Sequence, residues 1–331
     1  MSRGRRLALA GGALLALSLS ALGVRYALVR HENRAYRPRA VGSLPGPYRI
    51  IDVHEHIGSR SDLPRLLRVM DEQSIARAVL VASSRQTLGG GVGFVGHEEN
   101  NAVVVAMAAR LPERLTAFVT IDPGDPRKLE RLRAWLARGA RGLKLYSGHG
   151  SFRGAPLDDP AMLPVYEHCE REGVPMVFHV NMGKFGDEFR RVLARFPRLR
   201  VDCPHFCMST IRLDRLDEIL GAHPSLYVDV SLGAESIVAE GLPRIAQKAD
   251  RVRAIVLRHT DRFLFGADLV VAGATPTLAA MRDAFASYRG LLERERYHAA
   301  SLDKDLRGLA LPAEALRKIY QENPRRFLGM R

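Results

Sequence analysis

The sequence predicts an α/β fold, a (β/α)8 TIM barrel preceded by an N-terminal signal or membrane-anchor segment, and three observations predict it. Short apolar runs alternate with longer amphipathic stretches after residue 48, the first run ends in two histidines, and an uncharged apolar stretch stands ahead of them all. The candidate strands are 49–56, 76–83, 115–121, 140–146, 174–180, 199–205, 226–231 and 263–268. Eight strand–helix units over the rest of the chain match the length of a closed parallel barrel, about 250 residues. A doubly wound open sheet shows the same alternation, but the first strand–helix loop has no glycine-rich phosphate fingerprint.

The chain divides into residues 1–30, a signal peptide or signal anchor, a linker over 31–48, and the barrel over 49–331. Residues 7–24 form an uncharged apolar run behind Arg3, Arg5 and Arg6. It is long for a cleaved signal and just long enough to span a bilayer. Arg5-Arg6 followed by Leu7 and Leu9 partly matches a twin-arginine export signal. The expected location is therefore extracytoplasmic, with the membrane as a partner if the segment is retained.

Within the barrel region, helical patterns such as LPRLLRVMDEQ, PRKLERLRAWLAR, AMLPVYEHCEREG and FRRVLARFP lie between the strands. Glycine or proline follows several of them, as helix stops require. Residues 270–311 exceed what one barrel helix needs and are expected to form an insertion after strand eight.

The net charge is +14, yet the arginines are spread over many segments, with no basic stripe interleaved with aromatics, so nucleic acid is not an expected partner. The three cysteines, Cys169, Cys203 and Cys207, make no disulfide framework. Cys203 and Cys207, four apart on an extended strand, are too distant to pair and read as packing residues.

In a barrel of this kind, chemistry gathers at the C-terminal strand ends. His54 and His56 in IIDVHEHIG share one face of strand one, where two imidazoles can hold one metal ion. Lys144 and Tyr146 fall on strand four, His179 ends strand five, His205 ends strand six and Asp268 ends strand eight. Three imidazole nitrogens and one carboxylate suit Zn first, with Mn, Fe or Co compatible, and leave a position for water or substrate. Asp268 can take a proton from such water, and His205 can orient it or stabilise charge on the substrate. His149 and Arg153, after strand four, are candidate substrate contacts beside Lys144 and Tyr146.

The blocks DVHEHIG, RGLKLYSGHGSF, VPMVFHVN, VDCPHF, LYVDVS, LFGADL and IYQENPRRFLG, in this order, resemble the amidohydrolase superfamily. Within it they are similar to the amidohydrolase-related group that includes aminocarboxymuconate-semialdehyde decarboxylase-like enzymes. The resemblance implies one divalent metal held by His54, His56, His179 and Asp268, with His205 in the reaction centre. A second metal bridged by a carboxylated Lys144, as in binuclear relatives, is the less favoured arrangement. The bulky CPHFC around His205 departs from the small, glycine-rich sequence usual there.

The expected activity is a metal-dependent hydrolase that directs activated water at the carbonyl of a small-molecule ester, lactone or amide. Metal-dependent non-oxidative decarboxylation of an unsaturated or aromatic acid is the alternative. A catalytically lapsed, membrane-tethered binding protein is a third reading, weakened by the intact set of five site residues.

Overall fold

The computed structural model describes residues 23–330. The apolar run that suggests a signal or anchor lies almost wholly outside the described residues. Among those described, no helix is long and apolar enough to cross a membrane.

Nine parallel strands form one curled, TIM-like sheet in the order β8-β7-β6-β5-β4-β3-β2-β1-β9. The strands are β1 (Ile50–Ile57), β2 (Ile75–Val81), β3 (Leu115–Thr120), β4 (Gly142–Gly148), β5 (Met176–Val180), β6 (Val201–Asp202), β7 (Leu226–Asp229), β8 (Phe263–Leu264) and β9 (Leu269–Val271). All eight residues of β1 are buried, as a parallel strand covered on both faces requires. The predicted eighth strand is broken. Its first part, β8, pairs with β7, and its continuation, β9, pairs with β1. Between them Val53 N–H donates to Phe265 O at 2.9 Å and Asp268 N–H donates to His54 O at 2.8 Å, so the two ends of the sheet meet along one segment.

The predicted helices appear as Leu63–Glu72, Lys128–Ala137, Leu163–Glu172 and Met182–Arg195. Pro64 and Pro164 sit in the first turns of the first and third, where a missing N–H costs nothing. Gly173, at φ 63°, ends the third in the left-handed conformation glycine adopts freely. The fourth begins earlier than its apolar pattern, because the Asn181 side chain caps it by accepting the Gly183 N–H at 3.1 Å. Residues 182–188, ahead of that pattern, are therefore helical.

Apolar side chains pack in two layers. A small cluster of Ile51, Val53, Val79, Val81, Phe118, Val177, Leu264 and Phe327 includes residues of five strands, while a larger one joins the sheet to the helices. Phe327 comes from the closing IYQENPRRFLG block, whose Asn323 donates to Thr260 O at 2.7 Å and Phe263 O at 2.8 Å. That amide fastens the C-terminal helix to the start of β8. The expected insertion takes in the end of β9, the helix Leu278–Glu293 and an antiparallel hairpin of β10 (Arg296–Ala299) and β11 (Lys304–Arg307).

Two expectations need correction around strand six. β6 covers only Val201–Asp202, not 199–205, because the chain leaves the sheet at Pro204. His205, Phe206, Cys207 and Met208 then all have positive φ, between 49° and 64°. This left-handed turn brings the Cα atoms of Cys203 and Cys207 to 4.8 Å, and the two form a disulfide. The extended geometry that excluded the pair does not exist there. Cys169 is the remaining cysteine, free and buried.

Candidate metal centre

His54 and His56, near the end of β1, aim their Nε2 atoms at one carboxylate oxygen, Oδ1 of Asp268, at 3.3 and 2.8 Å. These three residues form the compact group able to hold a cation among the described residues, their ligand atoms lying within 4.8 Å of one another. Asp268 reaches this position through a φ of 53° in the segment between β8 and β9. His205 Nε2 lies 3.7 Å from the other oxygen of Asp268. The His179 ring lies farther off, 5.0 Å from that of His205 and 4.8 Å from that of His149.

The tautomers follow from the hydrogen-bond network. Asp229, at the end of β7, is fully buried and accepts from His54 Nδ1 at 2.8 Å. A carboxylate held ionised only accepts, so Nδ1 carries the proton and Nε2 presents its lone pair to the site. Asp229 Oδ1 also accepts from Ser231 Oγ at 2.5 Å, which uses the one hydroxyl hydrogen. Ser231 Oγ must then accept from His205 Nδ1, 2.8 Å away, and His205 Nε2 is left free in the same way. His56 Nδ1 is engaged by Ser83 Oγ at 2.6 Å.

Burial pushes the Asp268 carboxyl up, whereas His54, His56 and His205, to the extent that they carry a second proton, pull it well below its usual value. Burial lowers His54 to about 4 against the pull of Asp268, and it lowers His56 and His179 too. Neutral imidazoles facing a carboxylate repel it with their lone pairs. Buried Asp268 Oδ1 receives no well-formed hydrogen bond. Such an array calls for a cation at its centre, so the donor set fits a divalent metal.

Lys144, fully buried on β4, meets the same array: its Nζ lies 2.8 Å from His54 Nε2. Burial lowers its pKa to about 8, against the opposing charges of Asp268, Asp229 and Asp202. The Tyr146 hydroxyl donates to Ala82 O at 3.0 Å and lies 3.2 Å from Ser83 Oγ, with its ring stacked on Phe152. Lys144, Tyr146 and His149 all line a cavity of about 1160 Å³ that has the centre in its wall. Arg153, by contrast, is outside that lining. Its guanidinium is held by both Glu188 oxygens at 2.8 and 2.7 Å and lies over the Phe185 ring.

In the sequence Asp229 and Ser231 are marked only by being polar residues at the seventh candidate strand, and Ser83 carries no signal beyond its place after β2. An Asp at the end of a buried parallel strand was the usable hint. Asp52 Oδ1 accepts the His54 N–H at 2.9 Å and so supports the first of the two histidines.

Fold and centre together define a TIM-like enzyme scaffold with a metal-compatible site at the C-terminal ends of its strands. A family model described as amidohydrolase matches residues 51–330, and the chain belongs to the amidohydrolase superfamily. An uncharacterized TIM-barrel protein from Bordetella bronchiseptica superposes with a TM-score of 0.61 at 18% identity, covering 85% of this chain and 98% of its own. A "probable 2-pyrone-4,6-dicarboxylic acid hydrolase" from Acinetobacter baumannii gives 0.58 at 15% identity, over 85% and 100%. A 5-carboxyvanillate decarboxylase from Sphingomonas paucimobilis gives 0.53 at 15% identity, over 86% and 100%. No curated protein matches the chain. The family is metal-dependent, and these neighbours include a hydrolase and a decarboxylase.

Proposed function

We propose that the protein is a metal-dependent hydrolase that cleaves an ester, lactone or amide with water. The observation that carries this reading is the set of lone pairs fixed by Asp229, converging with Asp268 in the wall of a large cavity. His54, His56 and Asp268 would hold the metal, Zn first, with His179, in the wall of the same cavity, as the further ligand. When bound, the metal lowers the pKa of water and polarises a carbonyl.

The chain's own groups then divide the work. Asp268 Oδ2, near His205 and the small Gly233, is placed to take a proton from water. His205 Nε2 faces the same volume and, once protonated, can donate to the leaving group or to the developing oxyanion. Tyr146 and His149 border the substrate side.

Hydrolysis is preferred over decarboxylation on the lining of the cavity. Among its described residues Lys144 is the sole Lys or Arg, and it already faces His54, whereas Glu235 and Asp283 line the outer part. Those carboxylates oppose an acidic substrate. The Cys203–Cys207 disulfide favours an oxidising compartment and so supports export, with residues 1–30 as signal or anchor.

The test is metal content per chain for the wild type and for His54→Ala/His56→Ala, followed by turnover on matched panels of esters, lactones, amides and aromatic acids. One equivalent of metal lost in the double variant, with ester or lactone turnover abolished by Asp268→Asn, is the expected result. Carbon dioxide release from an acid would establish the decarboxylase instead, and two equivalents would promote Lys144 to a bridge. Metal binding without turnover on any panel would favour the lapsed binding protein.

A further inference from the structure

Large apolar side chains that stay exposed on a folded domain are informative when they gather on one face. Among the described residues they are Val24, Tyr26, Leu28, Val92, Val95, Ile211 and Ile237. Every one of them lies in a segment at the C-terminal end of the sheet, where the cavity opens. Val92 and Val95 follow β2 in the loop before the helix His97–Arg110, and Ile211 follows β6 just before the helix Leu213–Ala222. Ile237 is in the first turn of the helix Glu235–Gln247, after β7, and it also lines the cavity.

Val24, Tyr26 and Leu28 reach the same end by another route. They belong to a helix over residues 23–32 that is pinned beside the mouth, with Arg25 Nε donating to Ala274 O at 3.2 Å and Glu32 accepting the Leu278 N–H at 3.1 Å. Thr275 and Pro276, inside this clamp, line the cavity. Val24, the last residue of the uncharged apolar run of residues 7–24, is thus in the helix pinned beside the mouth. Exposed Arg25, Arg60, Arg85, Lys184 and Arg212 are interspersed with the apolar residues at this end, with Glu99, Asp187, Asp214 and Glu235 as exposed acids among them. The net charge of +14 adds a long-range attraction to an anionic surface.

The cavity continues the pattern inward. From Ile237 at the rim, Val238, Leu242, Ala284 and Leu302 line an apolar wall, and the metal-compatible centre lies in the same cavity. At about 1160 Å³ it exceeds the usual range for a drug-sized ligand, roughly 300–1000 Å³.

We propose that the mouth of the barrel rests on an anionic bilayer surface and that the substrates are amphiphiles taken from it, the cleavable carbonyl at the centre and the apolar chain along the wall. The substrate half rests on the hydrolase reading, whereas the surface contact does not. Apolar rim residues entering the headgroup boundary, with cations among them, are the recipe of an interfacial protein.

The experiment uses the full chain in vesicles of phosphatidylcholine and phosphatidylglycerol, with an environment-sensitive dye on one introduced cysteine. Cys169 is buried and Cys203 and Cys207 are bonded, so the dye reports the new position. Val92→Cys and Ile211→Cys sample the mouth, and Arg198→Cys, just before β6, samples the opposite end. Blue-shifted emission, quenched by spin-labelled lipid, is expected at 92 and 211 and absent at 198. Equal emission at all three positions overturns the surface contact.

The second readout is turnover. A long-chain ester presented in these vesicles is expected to lose about tenfold or more in Val92→Asp/Ile211→Asp, with a short-chain soluble ester unaffected. Equal loss on both esters, or preference for the short one, overturns the substrate half. Failure of both esters in the wild type, with the dye pattern intact, sinks the hydrolase reading and upholds the surface contact.

Discussion

Asp229 Oδ2 and His54 Nδ1 lie 2.8 Å apart with both side chains fully buried, and this contact decides which nitrogen of His54 faces the centre. The same carboxylate accepts the backbone N–H groups of His205 and Ser231, both at 3.0 Å. One group on β7 therefore orders two histidines from two other segments.

Asp229→Asn should weaken metal binding about 10- to 100-fold while leaving secondary structure intact. The amide can offer an N–H to His54 Nδ1 and turn its proton to Nε2, which blocks the lone pair. Competition with a chromophoric chelator measures the effect. Ser231→Ala should cost less, because it releases only His205, and the double variant should fall short of the sum. Full additivity would mean that the carboxylate does not act through the serine.

Glu55→Gln should make stability less dependent on pH. Burial raises the Glu55 carboxyl well above its usual 4.5, and nearby Asp52 pushes the same way. The folded state thus keeps a proton that the unfolded chain releases as pH rises past about 4.5, and wild-type stability falls with rising pH over that window. Glutamine has no proton to lose. The Tm of the variant relative to wild type should climb between pH 5 and 8, and a constant difference would refute this account.

Cys203→Ser/Cys207→Ser should lower stability by about 2 kcal/mol on chain entropy alone, given so short a loop. It should also impair the site. His205 and the three residues after it adopt a left-handed conformation that costs roughly 1–2 kcal/mol per residue. With the link gone, that turn has less to hold it. A thermal melt with and without reductant, beside turnover, checks both effects, and full activity in the reduced protein would contradict the positioning role.

Gly233→Val should abolish turnover with metal content unchanged. Gly233 has a φ of 84°, and a Cβ there would lie 3.3 Å from Asp268 Oδ2 and 3.5 Å from His205 Cε1. The branched side chain would fill the space between the proton acceptor and the substrate. A small fall in Tm, about 1–2 kcal/mol in stability, should accompany it. Retained turnover would move the reacting atoms elsewhere in the cavity.

The regular parts of this architecture were readable from the chain. β1 to β5 declared themselves as apolar runs of strand length, and His54, His56 and Asp268 announced themselves by residue type at strand ends. What escaped was set by contacts far apart in sequence. Nothing in CPHFC says that it coils left-handed rather than extending, so Cys203 and Cys207 looked unpairable. Nothing near Arg153 indicates that Glu188, on the helix Met182–Arg195, claims it first. The gap between β8 and β9 was hidden for a similar reason: FLFGADLVV is apolar apart from Asp268, and only pairing with both β7 and β1 reveals where it divides.

That gap has a mechanical consequence. Residues 265–268 fasten the last strands to the first through Val53 and His54, and the same four residues carry the carboxylate of the centre. Ligation of a metal by His54, His56 and Asp268 would thus act as a buckle across the join, stitching β1 to its neighbour from the side chains as well as the backbone. Occupancy should be legible from outside the cavity, as slower amide exchange at Val53 and Asp268 and as slower proteolysis of the chain that leaves β9.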